Sequence, residues 1–212
     1  REGDKVVAIV EEKDADAAQK AVNETNTGIL VLPNAKLAGW LNALQSNNAQ
    51  GEYYLTDLIA LANSDGINVH PVQVRASHLA AGVNNKVQLA ELERIFQSGQ
   101  ADELLKAGVT LRDPARFDLR GRLKHGQDVV IDANVVIEGN VELGDDVHIG
   151  PNCVIKNAKI GAGTHIEAFS HLEDCEIGER AHIGPYARLR PNAKLADEVH
   201  IGNFVEVKNT TI

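Results

Sequence analysis

The sequence predicts two kinds of fold in one chain. An α/β part occupies the first 84 residues, a helical arm follows, and a solenoid of very short strands fills the rest. Three observations carry this reading. Extended-looking apolar stretches alternate with stretches of helical spacing before residue 84. A single long helical pattern runs from about Asn85 to Ala107. From Ile131 to Val207 an aliphatic residue returns at nearly every sixth position, which matches neither the helical period near 3.6 nor the strand period of 2.

In the first part, "KVVAIVEEKD" reads as a strand over residues 5–11, and "NTGILVLP" as a second, ended by Pro33. "NAKLAGWLNALQS" has helical spacing at Leu37, Trp40, Leu41 and Leu44. "YYLTDLIALANSDG" reads as another helix, stopped by Gly66. "INVHPVQV" is a third strand. Such alternation suggests an α/β layer, though one too short for a complete doubly wound sheet. The arm carries an apolar stripe of Leu89, Leu92, Ile95, Phe96, Leu104 and Leu105, weakened by Gly99 and closed by Gly108 as C-cap. It is expected to be a stiff connector with its apolar face packed on one domain. The expected boundaries are 1–84, 85–110 and 111–212.

In the repeats the aliphatic positions are Ile131, Ile137, Leu143, Ile149 and Ile155, then Ile160, Ile166 and Leu172, then Ile177 onward in strict sixes to Val207. Two five-residue steps interrupt the period, and a corner can absorb each. Four residues after most of these stands a small or β-branched residue, such as Val135, Cys153, Ser170 or Ala187. Both positions are expected to point inward and to stack into ladders from coil to coil. The Gly or acid directly after the aliphatic residue, such as Gly144, Gly161 or Gly178, is expected where the chain bends. Each buried Ile or Leu contributes roughly 1.5–3 kcal/mol, so a thin core can hold without the aromatic residues that make up only 4% of the chain.

The 212 residues carry a formal net charge of −9, which leaves no cationic surplus for binding nucleic acid. No apolar run is long enough to span a bilayer, and no leader pattern is present. Cys153 and Cys175 lack metal or disulfide spacing, so a reducing cytoplasm is expected. Cys153 fits an inward packing slot. Because the chain starts at Arg1 and the repeat still runs at Ile212, it reads as an interior piece of a longer protein. No phosphate-binding GxxxxGK[ST] loop occurs, and Gly161-Ala162-Gly163 lies inside the repeats as a turn.

The hexads resemble those of the left-handed parallel β-helix family, which implies triangular coils and trimeric assembly. More specifically, "IVEEKDA", "NTGILVL", "NNAQGEYYLTDLIALA", "GVNNKVQLAELE", "GVTLRDPARFDLRG" and "YARLRP" resemble the bacterial bifunctional N-acetylglucosamine-1-phosphate uridyltransferase/glucosamine-1-phosphate acetyltransferases, along essentially the whole chain. The resemblance implies that residues 1–84 are the end of a Rossmann-like nucleotidyltransferase and that the repeats are the start of the acetyltransferase. It implies acetyl-CoA-dependent acetylation of glucosamine 1-phosphate, then coupling of N-acetylglucosamine 1-phosphate to UTP, in a cytoplasmic homotrimer that uses Mg²⁺.

It also assigns roles. Glu11 and Asn26 match contacts to the sugar of UDP-N-acetylglucosamine, and Asn84 matches an amide beside the nucleotide that helps hold Mg²⁺. Arg190 and Lys208 match a pair that binds the phosphate of glucosamine 1-phosphate. Their spacing supports this independently, since eighteen residues are three hexads, one coil of a three-sided prism. Two cations could then clamp one phosphate. Plainer readings compete: a solvated acid at Glu11, turn or N-cap amides at Asn26 and Asn84, surface cations at Arg190 and Lys208. His148, His165, His171, His182 and His200 fill the last slot of a hexad and face solvent or a neighbouring subunit; none is nominated as catalytic. The family's general base and its glycine-rich nucleotide loop match nothing in residues 1–212, so this stretch alone is expected to turn over neither reaction. The competing functions are another sugar-nucleotide pyrophosphorylase with a regulatory β-helix, and a trimerisation module without activity.

Overall fold

A computed structural model describes all residues, 1–212. The chain divides into two compact units, Arg1–Gly82 and Val83–Ile212.

The first unit is built on short helices: α1 (Ala17–Lys20), α2 (Asn34–Ala43) and α3 (Leu58–Ser64), the last led in by a 3₁₀ turn at Leu55–Asp57. Its core is Trp40, Leu58 and Ala62, flanked by Leu32, Leu37, Leu44, Leu61, Ile67 and Val69. The Trp40 indole donates to Asp65 Oδ2 at 3.2 Å. Helices α2 and α3 fall where the sequence predicts them, α1 was not expected, and Gly66 at φ 73° follows α3 as expected. The three strands do not form. Residues 5–11, 26–33 and 67–74 belong to no ladder, and Val31 and Val72 are almost fully exposed. Local composition marked them as strand-like, but a strand exists only when a neighbouring segment takes its backbone groups in a ladder, and here there is only an isolated Glu2–Lys5 bridge and the Asn63 side chain, which donates to Val6 O and Val7 O.

The second unit opens with helix α4 (Lys86–Lys106). The Asn85 side chain caps it by accepting from Gln88 N. At its end Val109 N donates to Leu104 O and Gly108 N to Leu105 O, with Gly108 at φ 98°, a Schellman closure. The apolar stripe is a correction. Leu89, Ile95, Phe96 and Leu105 are exposed, and the buried residues are Gln97, Ala101 and Leu104. The reason is the surface that α4 meets, which is the open edge of the first coil. There Leu119 N donates to Gln97 Oε1 at 2.8 Å, and Leu119 O accepts from Gln97 Nε2 at 3.2 Å and Gln100 Nε2 at 2.9 Å. An unpaired strand edge needs polar partners more than it needs leucines. Arg94 adds an ion pair to Asp118.

Everything after Thr110 is a parallel solenoid with three faces. One is a six-stranded sheet through 110–111, 130–131, 148–149, 165–166, 182–183 and 200–201. The other two share the long strand Val135–Leu143, which rounds a corner between them at Gly139, φ 66°. The expected aliphatic residues stack rung upon rung: Ile137, Ile155, Leu172, Leu189 and Val207 on one face, Ile131, Ile149, Ile166, Ile183 and Ile201 on another, all buried. The two five-residue steps fall at corners held by Asn157 and Asp174, both in left-handed backbone and joined by Asn157 Nδ2 to Asp174 Oδ1 at 2.9 Å. The small inward slots are buried through Ala193, and the hydroxyls among them are satisfied: Thr164 donates to Gly178 O at 3.0 Å, and Ser170 accepts from Ala187 N. Val205, in the last coil, is exposed.

Two features were not read from the sequence. The ladders begin a coil before Ile131, within the expected boundary at 111, since Leu111 pairs with Ile131 and Leu119 with Ile137. The step from Leu111 to Ile131 is two residues longer than the regular coil, which hid it. Apart from Gly184, at φ 100°, the glycines after the aliphatic residues also do not make the bends. The left-handed residue lies two positions later, as at Asp146 and Asn152. Gly144 and Gly161 are small because the next coil presses on them: a Cβ would sit 2.5 Å from Ala162 N or from Gly178 C.

Candidate functional site

The second unit exposes columns of charged residues that run along the solenoid, one residue per coil. In one column Lys124, Glu142, Lys159, Glu176 and Lys194 alternate in sign, and Thr211 follows. Pairs within it close at 3.0 Å (Lys124–Glu142) and 3.3 Å (Lys194–Glu176). Facing residues of opposite charge favour the observed register. A second column begins the same way: Arg120, Glu138, Lys156 and Glu173, with ion pairs of 3.3 Å and 2.8 Å. In the same register the next positions are Arg190 and then Lys208, because Leu189 faces Leu172 and Val207. Arg190 N donates to Val207 O at 2.9 Å, which sets the Lys208 backbone immediately alongside. Alternation breaks here, with two cations on neighbouring coils and no acid between them in the column.

The adjacent column supplies a partial counterweight. Glu206 faces Arg188 and accepts from the Arg190 guanidinium at 3.1 Å, while Arg188 approaches its other oxygen at 3.6 Å. Lys208 is exposed and makes no ion pair. The site thus holds three cations around one carboxylate, an arrangement suited to a phosphate. Sequence reasoning missed Glu206. The signal was available: it lies eighteen residues after Arg188, as Lys208 does after Arg190.

In the first unit, half-buried Glu11 accepts from Thr56 Oγ1 at 3.2 Å. Asp14, three residues on, accepts from Tyr54 OH at 3.1 Å and from Ala49 N at 2.8 Å. Desolvation first, and then the Asp14 carboxylate, push the Tyr54 hydroxyl up to about 12. The stretches "IVEEKDA" and "NNAQGEYYLTD" therefore lie together. Asn26 is exposed on the loop after α1, and no hydrogen bond joins it to Glu11. Asn84, which the structure places in the second unit, is exposed too. Its backbone N donates to Gln88 Oε1 at 2.8 Å, and the cap of α4 is its neighbour Asn85. One neutral amide does not make a Mg²⁺ site, and no three His, Cys, Asp or Glu side chains converge anywhere in the chain. The residues present do not fit that metal by themselves.

With this geometry in place, the relatives are informative. A protein named bifunctional protein GlmU from Neisseria meningitidis serogroup A is 80% identical over 207 residues, and one from Neisseria gonorrhoeae is 86% identical over the same length. The sequence matches the bifunctional GlmU proteins. A GlmU from Nitrosospira multiformis is still 53% identical over 98% of this chain. The chain spans 45% of the length of these GlmU relatives. Residues 119–212 also match the family described as the GMPPB C-terminal domain. Among solved structures, the acetyltransferase domain of PglB from Neisseria gonorrhoeae, in complex with acetyl coenzyme A, covers 54% of this chain and 62% of its own at 17% identity, with a TM-score of 0.33. No helix of this chain is long and apolar enough to cross a membrane.

Proposed function

We propose that this chain is part of a bifunctional enzyme that makes UDP-N-acetylglucosamine. Its solenoid takes part in acetyl transfer from acetyl-CoA to glucosamine 1-phosphate, and its first unit in uridylyl transfer from UTP to N-acetylglucosamine 1-phosphate. The observation that supports the first assignment best is the like-charge step at Arg190 and Lys208. Every other step of its column carries opposite charges, and two facing cations cost stability unless something anionic separates them. A phosphate monoester does so.

In this reading Arg190 and Lys208 hold the phosphate end of the sugar, and Glu206 orients the Arg190 guanidinium. Anchoring that end fixes where the 2-amino group stands. In acetyl transfer the amine attacks the thioester carbonyl, the C–S bond breaks and CoA thiol leaves; holding the two reactants together accounts for much of such a rate gain. Glu11 and Asn26 contact the sugar of the nucleotide product, the carboxylate accepting from hydroxyls and the amide facing the acetamido group. Asn84 lies beside the nucleotide, and the steps assigned to this chain do not pass through a metal. The working form is a homotrimer.

Calorimetry with glucosamine 1-phosphate and with glucose 1-phosphate, on this chain and on a longer protein containing it, tests the reading. Preference for the amino sugar, together with acetyl transfer in the longer protein that R190A weakens at subsaturating sugar phosphate, is expected. Equal binding of the two sugars, or full acetyl transfer by R190A, overturns it. This stretch alone is expected to give neither acetyl transfer nor UTP-dependent pyrophosphate release above a no-protein blank.

A further inference from the structure

Four imidazoles stand in single file on the six-stranded face, away from the phosphate site. His148, His165, His182 and His200 occupy the same position on neighbouring strands. Their ring centroids are 4.7, 5.0 and 5.9 Å apart, with interplanar angles of 20°, 7° and 23°. They present a row of parallel rings and not a coordination sphere, since no three donors converge.

We propose that this row is a proton-sensitive seam: cohesive while the rings are neutral, and self-repelling once neighbouring rings are charged, so that this face of the solenoid loosens as pH falls through the imidazole range. Neutral rings at this spacing stack favourably, whereas like charges directly opposite on paired strands repel. The surroundings offer little relief. Arg112, Asp132 and Glu167 line a cavity of about 140 Å³ beside His148 and His165. Asp132 is already engaged by Ala133 N at 2.7 Å and by Arg112 at 3.8 Å, which leaves Glu167 as the free carboxylate of that cavity, and exposed Asp146, two residues before His148, is a further acid at that end of the row. Beside His182 and His200 the next outward positions are Gly184 and Gly202, which carry no side chain. The turns before them hold Arg180, which is shared between Glu179 at 2.9 Å and Glu198 at 3.1 Å. His165, between two other rings, is held below the ordinary imidazole range by burial and then by His148 and His182, against the pull of Glu167. A folded-state value below the unfolded one means that the folded chain binds fewer protons. The seam's contribution is therefore complete above the imidazole range and shrinks as pH falls through it.

The test is an NMR titration of the imidazoles from pH 8 to 5, with thermal midpoints over the same range, on the whole chain. His165 is expected to titrate below about 6.5, the ordinary histidine value. Its midpoint should rise in H148Q/H182Q, and the acid-side drop in thermal midpoint should shrink in that variant. H171Q, which removes an imidazole from another face, should change neither. Should the double variant fail to fold, H148Q alone gives the same NMR reading. A His165 midpoint in the ordinary range that H148Q leaves unmoved, or an acid-side loss relieved equally by H171Q, overturns the proposal.

Discussion

The charge columns permit a sharp comparison between two cations of the same solenoid. Arg190 stands at the like-charge step, while Lys194 stands in the strictly alternating column with Glu176 at 3.3 Å. On the proposed function, replacing Arg190 by alanine removes a charge-assisted hydrogen bond to a phosphate, a contact of about 1.5–3 kcal/mol. Two features pull that figure down. The side chain is 35% exposed, which screens it, and Glu206 competes for the guanidinium at 3.1 Å. A surface pair of that kind contributes about 1 kcal/mol at most. The net loss is then about 1–2 kcal/mol, or roughly 5- to 30-fold in affinity for glucosamine 1-phosphate. K208A should lose less than R190A, because Lys208 is more exposed and holds the phosphate as a point charge. K194A should change affinity by less than about twofold, as expected for a surface cation outside the site. Titration calorimetry at constant ionic strength measures all three. If K194A weakens binding as much as R190A does, the solenoid attracts anions by its general field, and the argument from broken alternation fails.

Other predictions test the fold. Leu189 is fully buried between the Leu172 and Val207 rungs, so L189A should cost about 3–5 kcal/mol in urea unfolding of the solenoid; a loss below about 1 kcal/mol would contradict the ladder packing. Burial pushes the Cys153 thiol up to about 11 and the Cys175 thiol up to about 12, so at pH 8 a chromogenic aromatic disulfide should label neither in the folded chain and both in denaturant. Burial alone would raise the Asp118 carboxyl, but hydrogen bonds from Arg94 and Arg120 outweigh it and hold the group below its usual range. A depressed carboxylate contributes stability above its unfolded value near 3.9 that is lost as pH falls through the lower folded value. Denaturant midpoints should therefore fall in acid below about pH 4, and D118N should flatten part of that fall.

What the sequence could and could not reveal follows from how each element is held. The solenoid was legible because most of its strands are two or three residues long and each coil repeats the demands of the last. A buried aliphatic rung such as Ile183 fixes the register of the coils on either side, so the pattern is written into every hexad. The Arg190–Lys208 juxtaposition was legible for the same reason, since a constant coil length turns sequence distance into spatial contact. The first coil was hidden because its corner is longer, and because one position of its third face is His125 where later coils place Leu143 and Ile160. The docking face of α4 was misread because hydropathy identifies what avoids water, whereas the edge of the coil required amides for Leu119; Gln97 is buried by what it donates and accepts, a need that its own sequence neighbourhood does not express. The three strands of the first unit failed for the converse reason. Val31 and Val72 have the side chains of a sheet, but a sheet is a property of pairs, and here nothing pairs with them. Glu206 belongs with the legible features: once the coil length is known, the carboxylate beside the two cations follows from counting, and the site is then a set of competing charges and no longer a simple pair. On the proposed function, its affinity for a phosphate is set by how far that anion outbids Glu206 for Arg190, and this is why the single-residue loss at Arg190 should be tens-fold at most and not thousands-fold.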